Sequence, residues 1–446
     1  MSEKTVKKDY GGIAMLPLVV FLVLYVGCGL VFAVMGEEKP FYIMPRYVAA
    51  MAGILVAIFC YDREKKVSEK ADIFYQYAGA PIVAVFGMVI LLAGGFAGAC
   101  NTIGGKSSMA NLGASLIPSN LLIPGIFIMC AIMATCVGSS MSTASLMAPM
   151  AAAMAESMGL NMGLAAAAVM TGAMFGDNLS MISDTTIMAT RGVGAEMRDK
   201  FKMNLAIALS AAVVTVIIYT IISAGSVAGT AEIGEYNLIT ILPYFAVLIM
   251  AVVGVDIIVT LTIGLGLSCL CGIVAGTAGF FTWAQGVGSG MEDMFWAVVF
   301  VMMISGLLGM IRHYGGIDWF VKKMTGMIKG RRSCEVVISL SSLILGALIT
   351  NNTISIMVNA PVAKELGEKY KIAPKRLASL LDIGACIGPS IMPHGTVMLM
   401  VLGYMNCSYT DVVQYEYYSF LLFIALMATI GFGLLRTKEE KQADGR

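Results

Sequence analysis

Charged residues are scarce in this sequence. Asp, Glu, Lys and Arg together account for 13% of its 446 residues, whereas hydrophobic residues account for 58%. A soluble domain carries about 25% charged residues, so this chain could not cover a folded core with polar surface. Apolar runs of about 20 residues, the length a helix needs to cross a bilayer, recur from end to end. The composition therefore predicts an all-α polytopic membrane protein without a large soluble domain.

Motifs for catalysis and for cofactor binding are also missing. The ten cysteines form no CxxC pair and only two histidines are present. No phosphate-binding loop, nucleophile triad or zinc motif occurs. We therefore expect neither an enzyme nor a resident cofactor nor a nucleic-acid partner. The expected partners are a small cation or small-molecule substrate and the lipid bilayer, and analogy with similar folds suggests a homodimer.

The apolar segments are of two kinds. Eight are uninterrupted, and they cover residues 11–35, 46–61, 73–95, 203–224, 238–254, 257–277, 294–312 and 419–435. Four are longer or interrupted, and they cover residues 121–156, 160–190, 336–363 and 377–405. Together they predict one integral membrane domain over residues 1–446.

The interrupted segments form an internal repeat. Its members are separated by one constant offset, which is the distance in sequence from Gly172 to Gly384. This offset aligns Gly172-Ala-Met-Phe-Gly176 with Gly384-Ala-Cys-Ile-Gly388, and further matches extend from Ala148-Pro149 onwards without a gap. Repeats of this kind are typical of transporters with two related halves. We place the first repeat at 73–224, with a hairpin at 121–156 and a broken helix at 160–190. The second is placed at 294–435, with a hairpin at 336–363 and a broken helix at 377–405.

The positive charges predict the orientation of the chain. If both hairpins are re-entrant and the N-terminus is inside, 26 of the 29 Lys and Arg residues lie on the cytoplasmic side. They fall in residues 1–10, 62–71, 191–202, 312–332, 364–376 and 436–446. The acidic loops around Glu232, Glu235, Glu292, Asp293, Asp411 and Glu416 then lie outside. The prediction is about ten spanning helices plus two hairpins in two inverted repeats, with both termini cytoplasmic.

Polar residues mark where the helices are expected to turn or break. The first hairpin tip carries Ser139, Ser140, Ser142 and Thr143, and the second carries Asn351, Asn352 and Thr353. The two broken helices are interrupted at residues 176–186 and 388–396. Non-helical backbone inside a membrane must be satisfied by protein, water or a bound ion, so these four places are candidate sites.

Asp177 and Asp184 are the main candidates for a cation and proton site. An ionised carboxylate at mid-membrane is costly, so intramembrane aspartates usually serve a function. Neighbouring oxygen ligands, which Na+ prefers, come from Asn178, Ser180, Ser183, Thr185 and Thr186. Burial raises the pKa of a carboxylate and a bound cation lowers it again, so one carboxylate can hold H+ or Na+ but resists holding both. Helix capping is the structural alternative, and it is compatible with ligation.

The second half-site is chemically different from the first. Pro389 and Thr396 stand at the repeat positions of Asp177 and Asp184, so there is no second acid pair. Its polar residues are Asn351, Asn352, Thr353, Asp382, Ser390, His394 and Thr396. They could complete a cation shell or contact a solute carboxylate. His394 or Asp382 could carry a proton, or serve as a hydrogen-bonding linker and a helix-facing partner.

The first break resembles the NhaC family of Na+/H+ antiporters. Gly176-Asp177 through Ser180, followed by Ser183-Asp184-Thr185-Thr186, matches that family's Gly-Asp-x-x-Ser-x-x-Ser-Asp-Thr-Thr signature. The resemblance implies a secondary transporter of the prokaryotic cytoplasmic (inner) membrane. It would exchange Na+, and by extension Li+, for H+ by alternating access, with Na+ at Asp177 and Asp184.

Two positions depart from the family pattern. Many relatives have Lys at the position of Asn178 and Pro at that of Met181. Similar family members also move amino acids, or malate with lactate. A Na+- or H+-coupled transporter of an amino acid or small carboxylate is therefore the alternative function.

Overall fold

A computed structural model describes residues 9–37, 40–116, 118–181, 183–226 and 235–437, and these ranges are helical and contain no strand. The all-α prediction is confirmed. Glu232 and the predicted charges in residues 1–8 and 438–446 lie outside the described residues. After a 3-10 helix at Gly11–Met15, and with a π-helix at Val23–Gly27, the α-helices are α1 (Leu16–Leu22), α2 (Cys28–Val34), α3 (Pro40–Ile43), α4 (Arg46–Cys60), α5 (Val67–Ala78), α6 (Pro81–Thr102), α7 (Gly105–Leu116), α8 (Ser119–Val137), α9 (Ser140–Ser157), α10 (Met162–Leu179), α11 (Asp184–Val193), α12 (Met197–Ser226), α13 (Leu238–Val253), α14 (Ile257–Val274), α15 (Phe280–Glu292), α16 (Phe295–His313), α17 (Gly316–Thr325), α18 (Arg331–Ile349), α19 (Asn352–Tyr370), α20 (Pro374–Ser390), α21 (Thr396–Met405), α22 (Tyr409–Val413) and α23 (Tyr417–Gly431).

Many of these helices present apolar side chains outward. Within the described residues, seven helical segments are long and apolar enough to cross a membrane, and four shorter apolar helices accompany them. On α12, Val213, Ile217 and Ile221 recur every four residues and are 50%, 53% and 66% exposed. The opposite face, with Thr215 and Tyr219, is buried. An exposed apolar stripe of this kind is stable against lipid, so the chain is a multi-pass membrane protein.

Two compact units make up the chain. The first contains Met1–Gly87 and Trp296–Ile328, and the second contains Met88–Phe295 and Lys329–Arg446. In the first unit α1 packs on α4, and the Tyr61 hydroxyl donates a hydrogen bond to the Ala14 carbonyl at 2.5 Å. Every candidate site residue named above lies in the second unit.

The helices of the second unit recur at the offset of the sequence repeat. At this offset the first residues of α8, α9, α10 and α11 align with the first residues of α18, α19, α20 and α21. The last residues of α8 and α11 likewise align with the last residues of α18 and α21. Each set consists of a hairpin (α8–α9 and α18–α19) and a broken helix (α10–α11 and α20–α21), as predicted. Their packing recurs too, because α10 packs on α8 as α20 packs on α18. The second arm of each hairpin contacts the broken helix of the other set, since α9 packs on α21 and α19 on α11.

Glycines bring the first arm of each hairpin close to the broken helix. A Cβ atom on Gly172 or Gly176 of α10 would clash with the carbonyl oxygens of Phe127 and Ala131 in α8. The equivalent glycines of α20 make the same approach to α18. The repeated Gly-x-x-x-Gly sequence therefore corresponds to one helix contact that occurs twice.

Gly176→Ala should destabilise the protein, because its new methyl group has no room beside the Ala131 carbonyl. Overpacking of this kind costs about 1–3 kcal/mol, so the melting temperature in detergent should fall. Gly266→Ala on α14 is the control, since a Cβ there would meet nothing within 4 Å. Equal melting temperatures for the two variants would contradict the close contact between α8 and α10.

The hairpin tips have the same backbone geometry but different residues. Gly138 ends α8 with φ at 72°, and Thr350 ends α18 with φ at 56°. Ser139 and Asn351 follow as N-caps, and each side chain accepts a hydrogen bond from the backbone N–H three residues on. Because left-handed backbone costs a threonine about 1–2 kcal/mol and a glycine nothing, the second tip is strained.

Candidate functional site

The break between α10 and α11 places a buried carboxylate among hydroxyl groups. Asp177, in the last turn of α10, is 4% exposed. Its Oδ1 accepts a hydrogen bond from the Ser183 hydroxyl at 2.5 Å, and the Ser183 and Thr185 hydroxyl oxygens are 2.9 Å apart. Ser140, at the tip of the first hairpin, also interacts with this carboxylate. These oxygen atoms are the kind of ligands that a hard monovalent cation requires.

A buried lysine lies beside this carboxylate. Lys200, in the first turn of α12, is 0% exposed. Its Nζ donates hydrogen bonds to Asp382 Oδ2 at 2.7 Å, to Thr186 Oγ1 at 2.6 Å and to the Asn178 carbonyl at 3.0 Å. Three acceptors satisfy the three N–H groups of the ammonium. The charge distribution counts Lys200 among the cytoplasmic charges of residues 191–202, but in the structure its long side chain extends from the helix start into the protein.

Asp382 on α20 completes this polar cluster. It is fully buried, and its Oδ2 accepts hydrogen bonds from Lys200 and, at 2.8 Å, from Asn204 Nδ2. Asn204 Nδ2 also donates to the Asn178 carbonyl at 3.1 Å. Both Asp382 and Lys200 interact electrostatically with Asp177. The site therefore contains two carboxylates and one ammonium, contributed by α10, α12 and α20.

Lys200 and Asn204 were not among the candidates chosen from the sequence. They are four residues apart and so share one face of α12. A polar side chain at position 204, at the start of the apolar run 203–224, was the available signal. It indicates that this face of the helix packs against protein rather than lipid.

Asp184 has different surroundings from Asp177. It is the first residue of α11, and its side chain is exposed. Among the acidic residues, Asp382 interacts with Asp177 in the structure. The two acids that come together thus belong to different repeats, whereas the motif predicted two from the first repeat.

The remaining first-half candidates close the break. Thr186 donates its hydroxyl to the Ser180 carbonyl at 2.7 Å, which satisfies backbone that has left helical geometry. Asn178 is fully buried, and its Nδ2 lies 3.5 Å from the Tyr418 hydroxyl. At the first hairpin tip, Ser142 and Thr143 are buried within α9.

Most residues of the second half-site contact helix ends. Asn352 Nδ2 lies 3.5 Å from Cys386 Sγ, and the Thr396 hydroxyl donates to the Thr350 carbonyl at 3.0 Å. His394 is 2% exposed and interacts with the backbone of Ala347. Asn351 caps α19, Thr353 is half-buried in its first turn, and the Ser390 hydroxyl donates to Ser419 Oγ at 3.0 Å. In the part of the chain that is described, no three His, Cys, Asp or Glu side chains are grouped as metal ligands.

Comparison with known proteins gives consistent matches. The model of the Na+/H+ antiporter family matches residues 11–224 and again 221–436. The Na+/H+ antiporter NhaC of Alkalihalophilus pseudofirmus is 25% identical over 372 residues, which cover 75% of this chain and 79% of the relative. NhaC of Bacillus subtilis is 25% identical over 389 residues, covering 78% and 83%. The arginine/ornithine antiporter ArcD of Halobacterium salinarum is 21% identical over 352 residues, covering 70% and 72%.

Proposed function

The chain belongs to the Na+/H+ antiporter family, and we propose that it exchanges Na+ for H+ across the membrane at Asp177. The observation that carries this proposal is the burial of Asp177 among the hydroxyl groups of Ser140, Ser183 and Thr185. A buried ionised carboxylate without a cation is strongly unfavourable. Asp177 therefore holds either a proton or Na+, and competition between the two couples their flows.

Lys200 defines how many cations the site accepts. Its ammonium interacts with the carboxylate of Asp382, the hydroxyl of Thr186 and the carbonyl of Asn178, all of which are oxygen ligands that a second cation would need. It also neutralises Asp382. This arrangement favours one Na+ at Asp177. The Lys200 ammonium lies next to Asn178. It supplies there the positive charge that many relatives carry as a lysine at the position of Asn178.

The cross-contacts between the two helix sets suggest how access alternates. The second arm of each hairpin packs on the broken helix of the other set, since α9 contacts α21 and α19 contacts α11. We propose that this coupling opens the Asp177 cluster to one side of the membrane at a time. The proposed location is the cytoplasmic membrane of a prokaryote with both termini inside, following the charge distribution.

Reconstitution into proteoliposomes tests the proposal. With an imposed pH gradient and a trapped pH-sensitive dye, Na+ or Li+ should dissipate the gradient, because either ion can replace the proton on Asp177. K+ should dissipate the gradient more weakly, because the short hydroxyl and carboxylate ligands of the site suit the smaller Na+ better than K+. Equal gradients with and without Na+ and Li+, in folded and correctly inserted protein, would overturn the assignment.

A coupled amino-acid or carboxylate transporter is the second candidate function. The observation that favours it is the similarity to an arginine/ornithine antiporter over 70% of this chain. The same proteoliposomes can be loaded with arginine, ornithine or a dicarboxylate. Solute-dependent counterflow without any cation response would support this function and exclude simple Na+/H+ exchange.

A further inference from the structure

Glu416 is a buried carboxylate that the exchange site at Asp177 does not use. The charge distribution placed it in an exposed acidic loop, but the side chain is 0% exposed, whereas Gln414 two residues earlier is exposed. Within the described residues, no hydrogen bond to either carboxylate oxygen of Glu416 has standard geometry, although the hydroxyl and the backbone N–H of Ser419 approach the carboxylate as donors. An ionised carboxylate is strongly unfavourable in such surroundings. Glu416 is therefore a buried group for which the protonated form is the favourable one, and it lies close in the chain to the exposed Gln414.

The repeat gives Glu416 a counterpart at the cation site. At the repeat offset it corresponds to Asn204, whose side chain donates to the carbonyl of Asn178 at 3.1 Å. At the same offset Asn178 corresponds to Ser390, which donates to Ser419 Oγ at 3.0 Å. Ser419 is in turn the polar residue that approaches Glu416. Asn204 thus contacts the first broken helix directly, whereas Glu416 is linked to the second broken helix through Ser419.

Tyr418 approaches the cation site and also acts electrostatically on Glu416. It is fully buried, its hydroxyl is 3.5 Å from Asn178 Nδ2, and it interacts electrostatically with both Glu416 and Asp382. Within the described residues, Tyr219 of α12 also interacts electrostatically with Glu416. In the described part of the chain no charged residue of α18 or α20 acts on Glu416. A hydroxyl group can accept one proton while it donates another, so Tyr418, which interacts electrostatically with both Glu416 and Asp382, is the candidate relay between these two carboxyl groups.

We propose that Glu416 is a proton-binding residue of the exchange cycle, which passes protons between the surface near Gln414 and the cluster of Asp177 and Asp382. In one direction the proton leaves a carboxyl oxygen of Glu416 and is accepted, by way of the Tyr418 hydroxyl, by a carboxylate of the cluster as Na+ departs. A hydronium ion from the aqueous phase then protonates the Glu416 carboxylate and becomes water, so atoms and charge are conserved. This inference rests on the proposed Na+/H+ exchange.

Glu416→Gln tests the proposal, because glutamine keeps the shape of the protonated acid but cannot release a proton. In proteoliposomes we expect Na+-driven proton flux to fall on the order of 100-fold, the typical size of an acid–base contribution. Exchange of radioactive for unlabelled Na+ needs no proton transfer and should continue at the wild-type rate. Glu416→Asp retains a carboxyl group and should keep part of the proton flux. Glu235→Gln, at an exposed glutamate, is the matched control and should leave both fluxes unchanged.

Each other outcome has a defined meaning. Wild-type proton flux in Glu416→Gln would overturn the proposal, because a neutral side chain would then suffice. Equal loss of proton flux and Na+/Na+ exchange in folded protein would assign Glu416 to structural support and would also overturn it. Absence of Na+-driven proton flux in the wild type would instead refute the exchange function itself.

Discussion

Asp177→Asn is expected to abolish Na+/H+ exchange, whereas Asp184→Asn should retain most of it. The buried asparagine can still accept the hydrogen bond from Ser183. It can neither bind the transported proton nor offer a full negative charge to Na+. Loss of the one carboxylate for which H+ and Na+ compete should reduce exchange by at least about 100-fold. Asp184 is exposed on the first turn of α11 and is not among the groups that act on Asp177.

Na+-driven dissipation of a pH gradient in proteoliposomes gives the measurement for both variants. Their melting temperatures in detergent show whether the fold is retained. Wild-type exchange in Asp177→Asn would remove Asp177 from the transport site. Equal, severe losses in the two folded variants would instead support the acid pair that the Gly-Asp-x-x-Ser-x-x-Ser-Asp-Thr-Thr signature predicts.

Lys200→Met is expected to destabilise the protein more than any surface substitution. It leaves the carboxylate of Asp382 fully buried with the Asn204 amide as its remaining hydrogen-bond partner. Removing one partner of a buried ion pair costs about 3–5 kcal/mol, since the other charge stays uncompensated. The double variant Lys200→Met/Asp382→Asn removes both charges and should recover most of the lost stability.

Thermal unfolding in detergent compares these variants with a matched control. Lys202→Met changes an exposed lysine two residues away on the same helix and should alter the free energy of unfolding by less than about 0.5 kcal/mol. If Lys200→Met melted at the wild-type temperature, the buried pair with Asp382 could not be present in the folded protein. If the double variant melted as low as Lys200→Met, the hydrogen bonds of Lys200 to Thr186 and Asn178 would outweigh the ion pair.

Much of the fold could be predicted because a membrane imposes strong rules on a sequence. Helices inside a bilayer can turn or break only where polar groups satisfy the backbone, so Ser139, Asn351 and the segment after Asp177 were visible as interruptions. The glycines of α10 and α20 were visible because close helix packing permits no side chain there. The second hairpin of the structure is longer than predicted, since α18 and α19 extend from Arg331 to Tyr370. Its charged ends lie outside the apolar run that the prediction used.

The site was only partly predictable, because charge counting assumes that charged residues near helix ends face water. Lys200 and Glu416 both lie near helix starts and were assigned to loops on that basis. Whether such a side chain extends outward or inward depends on tertiary packing, and neither residue sits in a motif. Asp184 shows the opposite case, since it belongs to the motif but is exposed. Sequence spacing brings residues to the same break, while the direction of each side chain depends on the helix turn that carries it.

The helices α8 to α11 start at the same intervals along the chain as the helices α18 to α21. This equal spacing limits how the sequence of the protein can change in evolution. Between the starts of α8 and α11, neither half has gained or lost a residue relative to the other, although Pro389 stands where the first half has Asp177. One inserted residue in α10 would rotate everything beyond it by about 100° and turn Gly176 away from α8. Substitutions can give the two halves different chemistry, but an insertion or deletion would separate the helices that hold the site. In this region, chain length is the inherited constraint and side-chain chemistry is the variable on which specialisation can act.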